Sequence, residues 1–307
     1  MLKQQYENLS IGLPYISIKY GKPNNKANGT GNSQFSHINF KAKNPLMDSS
    51  IVNGNYNIAL LNIKNNAEAL KEIPRGLRTI FKELKDETGE NFVHKAYSKL
   101  RKYMKLDGIA PDEIGRLGPD EVTHSGAKVN IEGGYNPRNN SISYTDGFFN
   151  RLEKHEQLNF LAHELKHAEQ ASKIIRSGLI SQYAGTWAKF QVSGVLQNPL
   201  NVPVQMALKK ARENGKLSEF VKGAMFACKD ETLKDMTKGH ANTLKLPQYS
   251  PKSIGYKEGT NYFESYKTYS NNIYDSEYKN NPIEIEAYAF GNQIEKHFQI
   301  YSQINKF

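Results

Sequence analysis

The chain predicts an α+β fold, mainly helical, with a small antiparallel sheet whose edge strand flanks one long helix. Three observations carry this reading. Residues 155–176 hold no Gly or Pro and are rich in Leu, Ala, Glu, Gln and Lys, the composition of a helix. Leu70, Ile73, Leu77, Ile80 and Leu84 recur at spacings of three and four, the period of an amphipathic helix. Lys128 to Glu132 and Ser141 to Tyr144 alternate apolar and polar residues just upstream of the 155–176 helix, the period of half-buried strands.

Residues 1–52 are rich in Asn, Ser, Gly and Lys and show no sustained period, so they read as a disordered basic leader. Residues 53–307 read as a single domain. A helical layer is expected over 55–106, broken by Pro74, with a second helix from about Glu90 carrying Phe92, Ala96, Leu100 and Met104 on one side. Residues 107–127 are loop-rich, with Asp107-Gly108, Gly118-Pro119 and Ser125-Gly126. Strands and the long helix occupy 128–177, with Gly133 to Asn140 as the turn between two strands of a hairpin. A helical insert follows over 178–280, clearest at Leu200 to Arg212 and Leu217 to Phe226. Its last part, Tyr249 to Tyr278, reads as a long ordered loop or short helices. Asn281 is a good N-cap and Pro282 suits the first helical position, so a final helix is expected over 281–303.

Composition narrows the function. Mean hydropathy is −0.68, and no run of 18 apolar residues exists, so no membrane-spanning helix is expected. The residues after Met1 lead into no apolar signal region, and the single Cys228 forms no intramolecular disulfide. Both fit a cytoplasmic location by default, with export by a non-standard route as the alternative. The net charge is +10 and the pI about 9.3, but acidic residues lie between the basic ones, as in Lys82-Glu83-Leu84-Lys85-Asp86-Glu87. No basic cluster is interleaved with aromatics, so the charge reads as solvated surface and not as a nucleic-acid site.

The chemistry sits in His163-Glu164-Leu165-Lys166-His167. On a helix, His163 and His167 lie one turn apart on one face and can share a tetrahedral metal ion. Glu164 is about 100° around from His163, poorly placed as a ligand but within reach of a water on the ion. Two imidazoles, an open position and a carboxylate base are the groups zinc hydrolysis needs. Residue frequencies give roughly 0.01 to 0.02 chance occurrences of the pattern in a chain like this. The third ligand must come from downstream. Glu284, in the first turn of the last helix, is the first choice, with Glu286, Glu277 and His297 as alternatives. Against it, Asn281-Pro282-Ile283-Glu284 has the spacing of a capping box, in which Glu284 would only bond back to the helix start.

His163-Glu164-Leu165-Lys166-His167, with Glu284-Ile285-Glu286-Ala287 far downstream, resembles the gluzincin branch of the zincin metallopeptidases, the thermolysin-like group. The resemblance implies a zincin-like fold, one Zn²⁺ per chain held by His163, His167 and Glu284, and Glu164 as general base. It covers residues 128–175 and 281–300. Two features depart from the family. Tyr288 stands where many members carry an Asp or Asn that supports a histidine, and about 115 residues separate His167 from Glu284.

The function expected is peptide-bond hydrolysis by a zinc-bound water, on a peptide or protein substrate paired along the edge strand near Ser141 to Tyr144. Tyr288, Tyr266 and Tyr262 are candidates to stabilise the oxyanion, with Tyr288 first. The alternative is a non-catalytic zincin-like protein that binds a protein or nucleic-acid partner through its basic surface.

Overall fold

A computed structural model of the chain describes residues 66–116, 121–124, 127–130, 133–145, 148–197, 201–269, 278 and 280–305. The expected leader over 1–52, and Glu277, lie outside the described residues. Among them, no helix is long and apolar enough to cross a membrane.

The architecture is α+β and mainly helical. Helices α1 (Asn66–Glu72) and α2 (Arg75–Leu84) are split at Pro74, as its missing N–H and fixed φ require. Ile73, Leu77, Ile80 and Leu84 are buried in line with their period. Helix α3 (Gly89–Tyr103) buries Phe92, Ala96 and Leu100. Phe81 of α2 meets Phe298 edge to face at 5.2 Å, joining this layer to the last helix.

The sheet corrects the sequence reading in four ways. It is mixed: β1 (Gly115–Arg116) runs parallel to β5 (Ser141–Tyr144), and β4 (Gly133–Asn136) runs antiparallel to β5. The strand order β1-β5-β4 makes Ser141 to Tyr144 the central strand and leaves β1 and β4 as the edges, β4 being the one against the long helix. Residues 133–136, expected as turn, are therefore strand, and the turn shrinks to 137–140. The predicted partner of β5 pairs elsewhere: β3 (Ala127–Asn130) forms a separate antiparallel pair with β2 (Glu121–His124), a segment expected as loop. The physical reason for β4 lies in close approach. A Cβ at Gly133 would sit 2.0 Å from the Ser143 carbonyl and 2.8 Å from the Phe160 ring, so glycine is what lets this strand lie against β5 and the long helix together.

After the short α4 (Phe148–Arg151) comes α5 (Lys154–Arg176), the expected long helix. Glu156 reaches back to the Glu153 N–H at 2.8 Å and caps its start. Leu158, Leu161, Leu165 and Ala168 are buried on one face, and so is the histidine face. The helix lies inside the molecule, packed by α3, β4, α10 (Ile254–Lys267) and α11 (Pro282–Asn305).

The insert holds α6 (Ile180–Gln197), α7 (Val202–Glu213), α8 (Leu217–Gly239), α9 (Ala241–Lys245) and α10. The helix predicted from Leu217 runs on to Gly239, α6 falls within the expected helical insert, and α10 takes the helical alternative for 249–278 as one 14-residue helix. Arg138 in the β4–β5 turn donates to Asp235 of α8 at 2.6 Å. His240 Nε2 donates to the Pro137 carbonyl at 2.9 Å. Together they tie the insert to the edge strand's turn.

Helix α11 begins as the sequence expects, with Asn281 accepting from the Ile283 N–H at 3.1 Å. It runs antiparallel to α5: Gln170 meets Ile283, and Asn159 meets Asn292 and Glu295. The helices touch closely at Gly291, where a Cβ would stand 2.2 Å from Asn159 Oδ1 and 2.9 Å from its carbonyl. Gly291→Ala is expected to destabilise the fold by about 2 kcal/mol through overpacking. Gly194→Ala, on α6 with nothing within 4 Å, is expected to be neutral or to stabilise by about 0.5 kcal/mol. Urea unfolding of the two variants beside the wild type measures both.

Candidate metal centre

The α5–α11 crossing brings the two histidines and the distal glutamate together. Among the described residues, His163, His167 and Glu284 form the only group of metal-ligating type whose donor atoms all lie within 4.8 Å of one another. His163 Nε2 and His167 Nε2 are 2.9 Å apart. Glu284 Oε2 lies 3.4 Å from His163 Nε2, and Glu284 Oε1 lies 3.4 Å from His167 Nε2. Donors bound tetrahedrally at zinc distances stand about 3.3 Å from one another, so the spacing fits one ion. Two lone pairs cannot face each other at 2.9 Å without a proton or a cation between them.

Burial sharpens the requirement. His163 and Glu284 are 0 % exposed and His167 is 5 % exposed. Glu284 Oε2 has no hydrogen-bond partner, and a buried carboxylate oxygen without one demands a positive charge nearby. The capping-box reading of Glu284 does not hold: its Oε1 accepts from the Tyr269 hydroxyl at 2.5 Å. The Asn281 N–H goes instead to the Tyr278 carbonyl.

The ionisation of the cluster follows from the same geometry. Burial holds His163 down to about 4. Burial also works against charge on His167, but the Glu284 carboxylate beside it, with Glu164 and Gln170, outweighs burial and raises the ring to about 9. Glu284 is held well below the usual carboxylate range; burial opposes this, and the two histidines override it. The Glu284 charge thus favours a proton on His167 over one on His163. A divalent ion would displace it, so metal binding and proton release are coupled.

Glu164 is 1 % exposed, with its two oxygens in different settings. Oε2 accepts from the Tyr135 backbone N–H of edge strand β4 at 2.7 Å. Oε1 is buried with no partner. Burial, reinforced by the charge of Glu284 and offset by His167 and the Tyr135 N–H, pushes the carboxyl up to about 8.

The alternative ligands are placed elsewhere. Glu286 binds Lys166 at 3.0 Å and Gln170 at 3.1 Å, away from the triad. His297 lies outside the triad, within the electrostatic reach of Glu72 in α1. Tyr288 packs edge-on against the His163 ring, centroids 4.5 Å apart, and is half-buried where the ligands are fully covered. Tyr266 stacks on Tyr269 at 5.3 Å, and Tyr262 hydrogen-bonds Glu286.

Sequence reasoning missed three contributors. Gln170 contacts His167 Nδ1 at 2.9 Å, and its place three residues after His167 on the same helix was a visible signal. Tyr269 and the Tyr135 N–H had none, since one lies in an aperiodic Tyr-rich stretch and the other is a backbone group.

No family model matches the chain, and comparison with curated proteins and with solved structures finds no match.

The raised Glu164 carboxyl gives a test that needs no activity. Between about pH 5 and 8 the folded chain keeps a proton on Glu164 that the unfolded chain releases, so this group's contribution to stability falls as pH rises. With chelator present, the melting temperature of Glu164→Gln minus that of the wild type is expected to grow steadily from pH 5 to pH 8. A constant difference would show that Glu164 titrates normally.

Proposed function

We propose that the chain is a zinc-dependent metalloendopeptidase with a zincin-like, gluzincin-type site. One observation carries the reading: a buried His163–His167–Glu284 triad at metal-ligand spacing, next to a buried carboxylate oxygen of Glu164 that no protein group satisfies. Those three side chains would hold one Zn²⁺ per chain. When bound, the ion supplies Lewis acidity towards a peptide carbonyl and acidifies a water towards pKa 7 or so.

The chain's own groups account for the remaining work. The Tyr135 N–H fixes the Glu164 carboxylate through Oε2 and leaves Oε1 free. Oε1 takes the proton of the attacking water and returns it to the leaving amine. Burial keeps this carboxyl basic enough for that exchange. Tyr288, against His163 and part-exposed, is the candidate donor to the oxyanion. With β5 in the sheet interior, an extended peptide would pair along β4, whose residues already touch the base.

A second reading is favoured by the depth of burial. Structural zinc sites are closed, whereas catalytic ones keep a position open. All three ligands here are nearly inaccessible, which suits a non-catalytic protein that keeps the ion for stability.

Metal content and hydrolysis of an unfolded protein substrate separate the two. At saturating zinc, about one ion per chain is expected in the wild type, Glu286→Ala and Glu164→Gln, and none in Glu284→Ala. Glu164→Gln is expected to cut hydrolysis by roughly 10²- to 10⁴-fold. Zinc without hydrolysis in the wild type would favour the structural reading, and full activity in Glu164→Gln would sink the proteolytic one.

A further inference from the structure

We propose that Gln170 is a positioning residue for the metal centre: it fixes the proton of His167 on Nδ1 and sets the register of the two ligand-bearing helices. The inference rests on the metal-centre reading above.

Gln170 is 0 % exposed, so its amide must find partners inside the protein. The partners determine which way it points. The Ile283 carbonyl only accepts, and it lies 3.1 Å from Nε2. The Glu286 carboxylate, 3.1 Å from the same nitrogen, takes the second N–H. The amide oxygen is left facing His167 Nδ1 at 2.9 Å. An amide oxygen only accepts, so Nδ1 must carry a hydrogen. The neutral ring then has its lone pair on Nε2, the atom that faces His163 and Glu284. An acceptor behind a ligating imidazole also makes the ring a stronger donor to a metal.

The same amide joins the two ligand turns. Gln170 sits three residues after His167, and Ile283 immediately precedes Glu284. One side chain therefore spans from the ring of one ligand to the backbone that carries another. Glu286 is held in turn by Lys166 at 3.0 Å, and Lys166 also holds Glu169 at 2.9 Å. This separates the two acids of Glu284-Ile285-Glu286: the first faces the ion site, and the second orients the amide behind it. His163 has no such partner, since its Nδ1 is buried and unbonded.

If Gln170 merely filled the helix interface, an isosteric apolar side chain would serve as well. The test is zinc affinity by competition with a chromophoric chelator, with the Co²⁺ absorption spectrum as a second readout. Gln170→Met is expected to weaken zinc binding by roughly 10- to 100-fold and to shift the cobalt bands. The exchanged pair Gln170→Glu with Glu286→Gln keeps the charge and an acceptor for His167 but gives up the donor to the Ile283 carbonyl, so it tests the His167 contact apart from the helix bridge. It is expected to bind zinc more tightly than Gln170→Met by roughly 10-fold, because a carboxylate is the stronger acceptor for the His167 ring. Gln170→Met with unchanged affinity and spectrum overturns the proposal. If that variant does not fold, the exchanged pair decides alone: zinc affinity within about 10-fold of wild type supports the proposal, and a loss beyond about 100-fold overturns it. A wild type that takes up no zinc overturns the metal-centre reading along with it, whereas zinc in the wild type and in Gln170→Met alike overturns this proposal only.

Discussion

The fold is built around the burial of one carboxylate. Glu284 lies fully inside the protein, against two imidazole nitrogens, with one oxygen unpaired. A charge in that position is costly unless positive charge sits beside it, and the surroundings concentrate what is available. His167 is drawn into its protonated form, and the Tyr269 hydroxyl caps the other oxygen. The α5–α11 crossing makes this arrangement possible. It is held by the tight contact at Gly291, the Asn281 cap and the Gln170 bridge. The helical layers and the sheet keep water away from that crossing.

The proposed base is placed by a different element. Glu164 belongs to α5, but its orientation comes from a backbone N–H of β4. β4 can approach because Gly133 presents no Cβ to Phe160 and Ser143. Its turn is anchored to the insert through Arg138 and His240. The arrangement thus draws on one helix for two of the proposed ligands, a distant helix for the third and a strand edge for the proposed base.

What the residues reveal before folding follows from how local each signal is. The α5 helix, its histidine pair and the start of α11 at Asn281-Pro282 depend on propensity, spacing and capping within a few residues, and all three were legible. Glu284 was reachable because it sits in that first turn. β4 was not legible, since Gly133-Gly134-Tyr135-Asn136-Pro137 has the composition of a turn and becomes strand only through β5 and α5. The bounds of α6 within the helical insert were not legible either, since its Gly185, Gly194, Val192 and Val195 are poor helix formers held in a helix by packing on α8. The carbonyl that orients Gln170 belongs to Ile283, 113 residues further on, and no local pattern encodes such a partner.

The antiparallel course of α5 and α11 has a topological outcome. The chain leaves α5 at Ser177 and returns at Asn281, and both ends of this span are tied to the same frame: Gln170 of α5 touches Ile283, Ser177 packs on Gly259 of α10, and Asn281 bonds Ser265 of α10. Everything between is a loop whose ends the helix pair already holds closed. Loop-closure entropy grows only logarithmically, about 0.6 kcal/mol for each doubling of length. The long separation of His167 from Glu284 therefore puts little strain on the site. The α5–α11 clasp accommodates a large insertion at small cost, and what that span must keep is what touches the site: Tyr269 on Glu284, α10 on α5, and Asp235 and His240 on the β4–β5 turn.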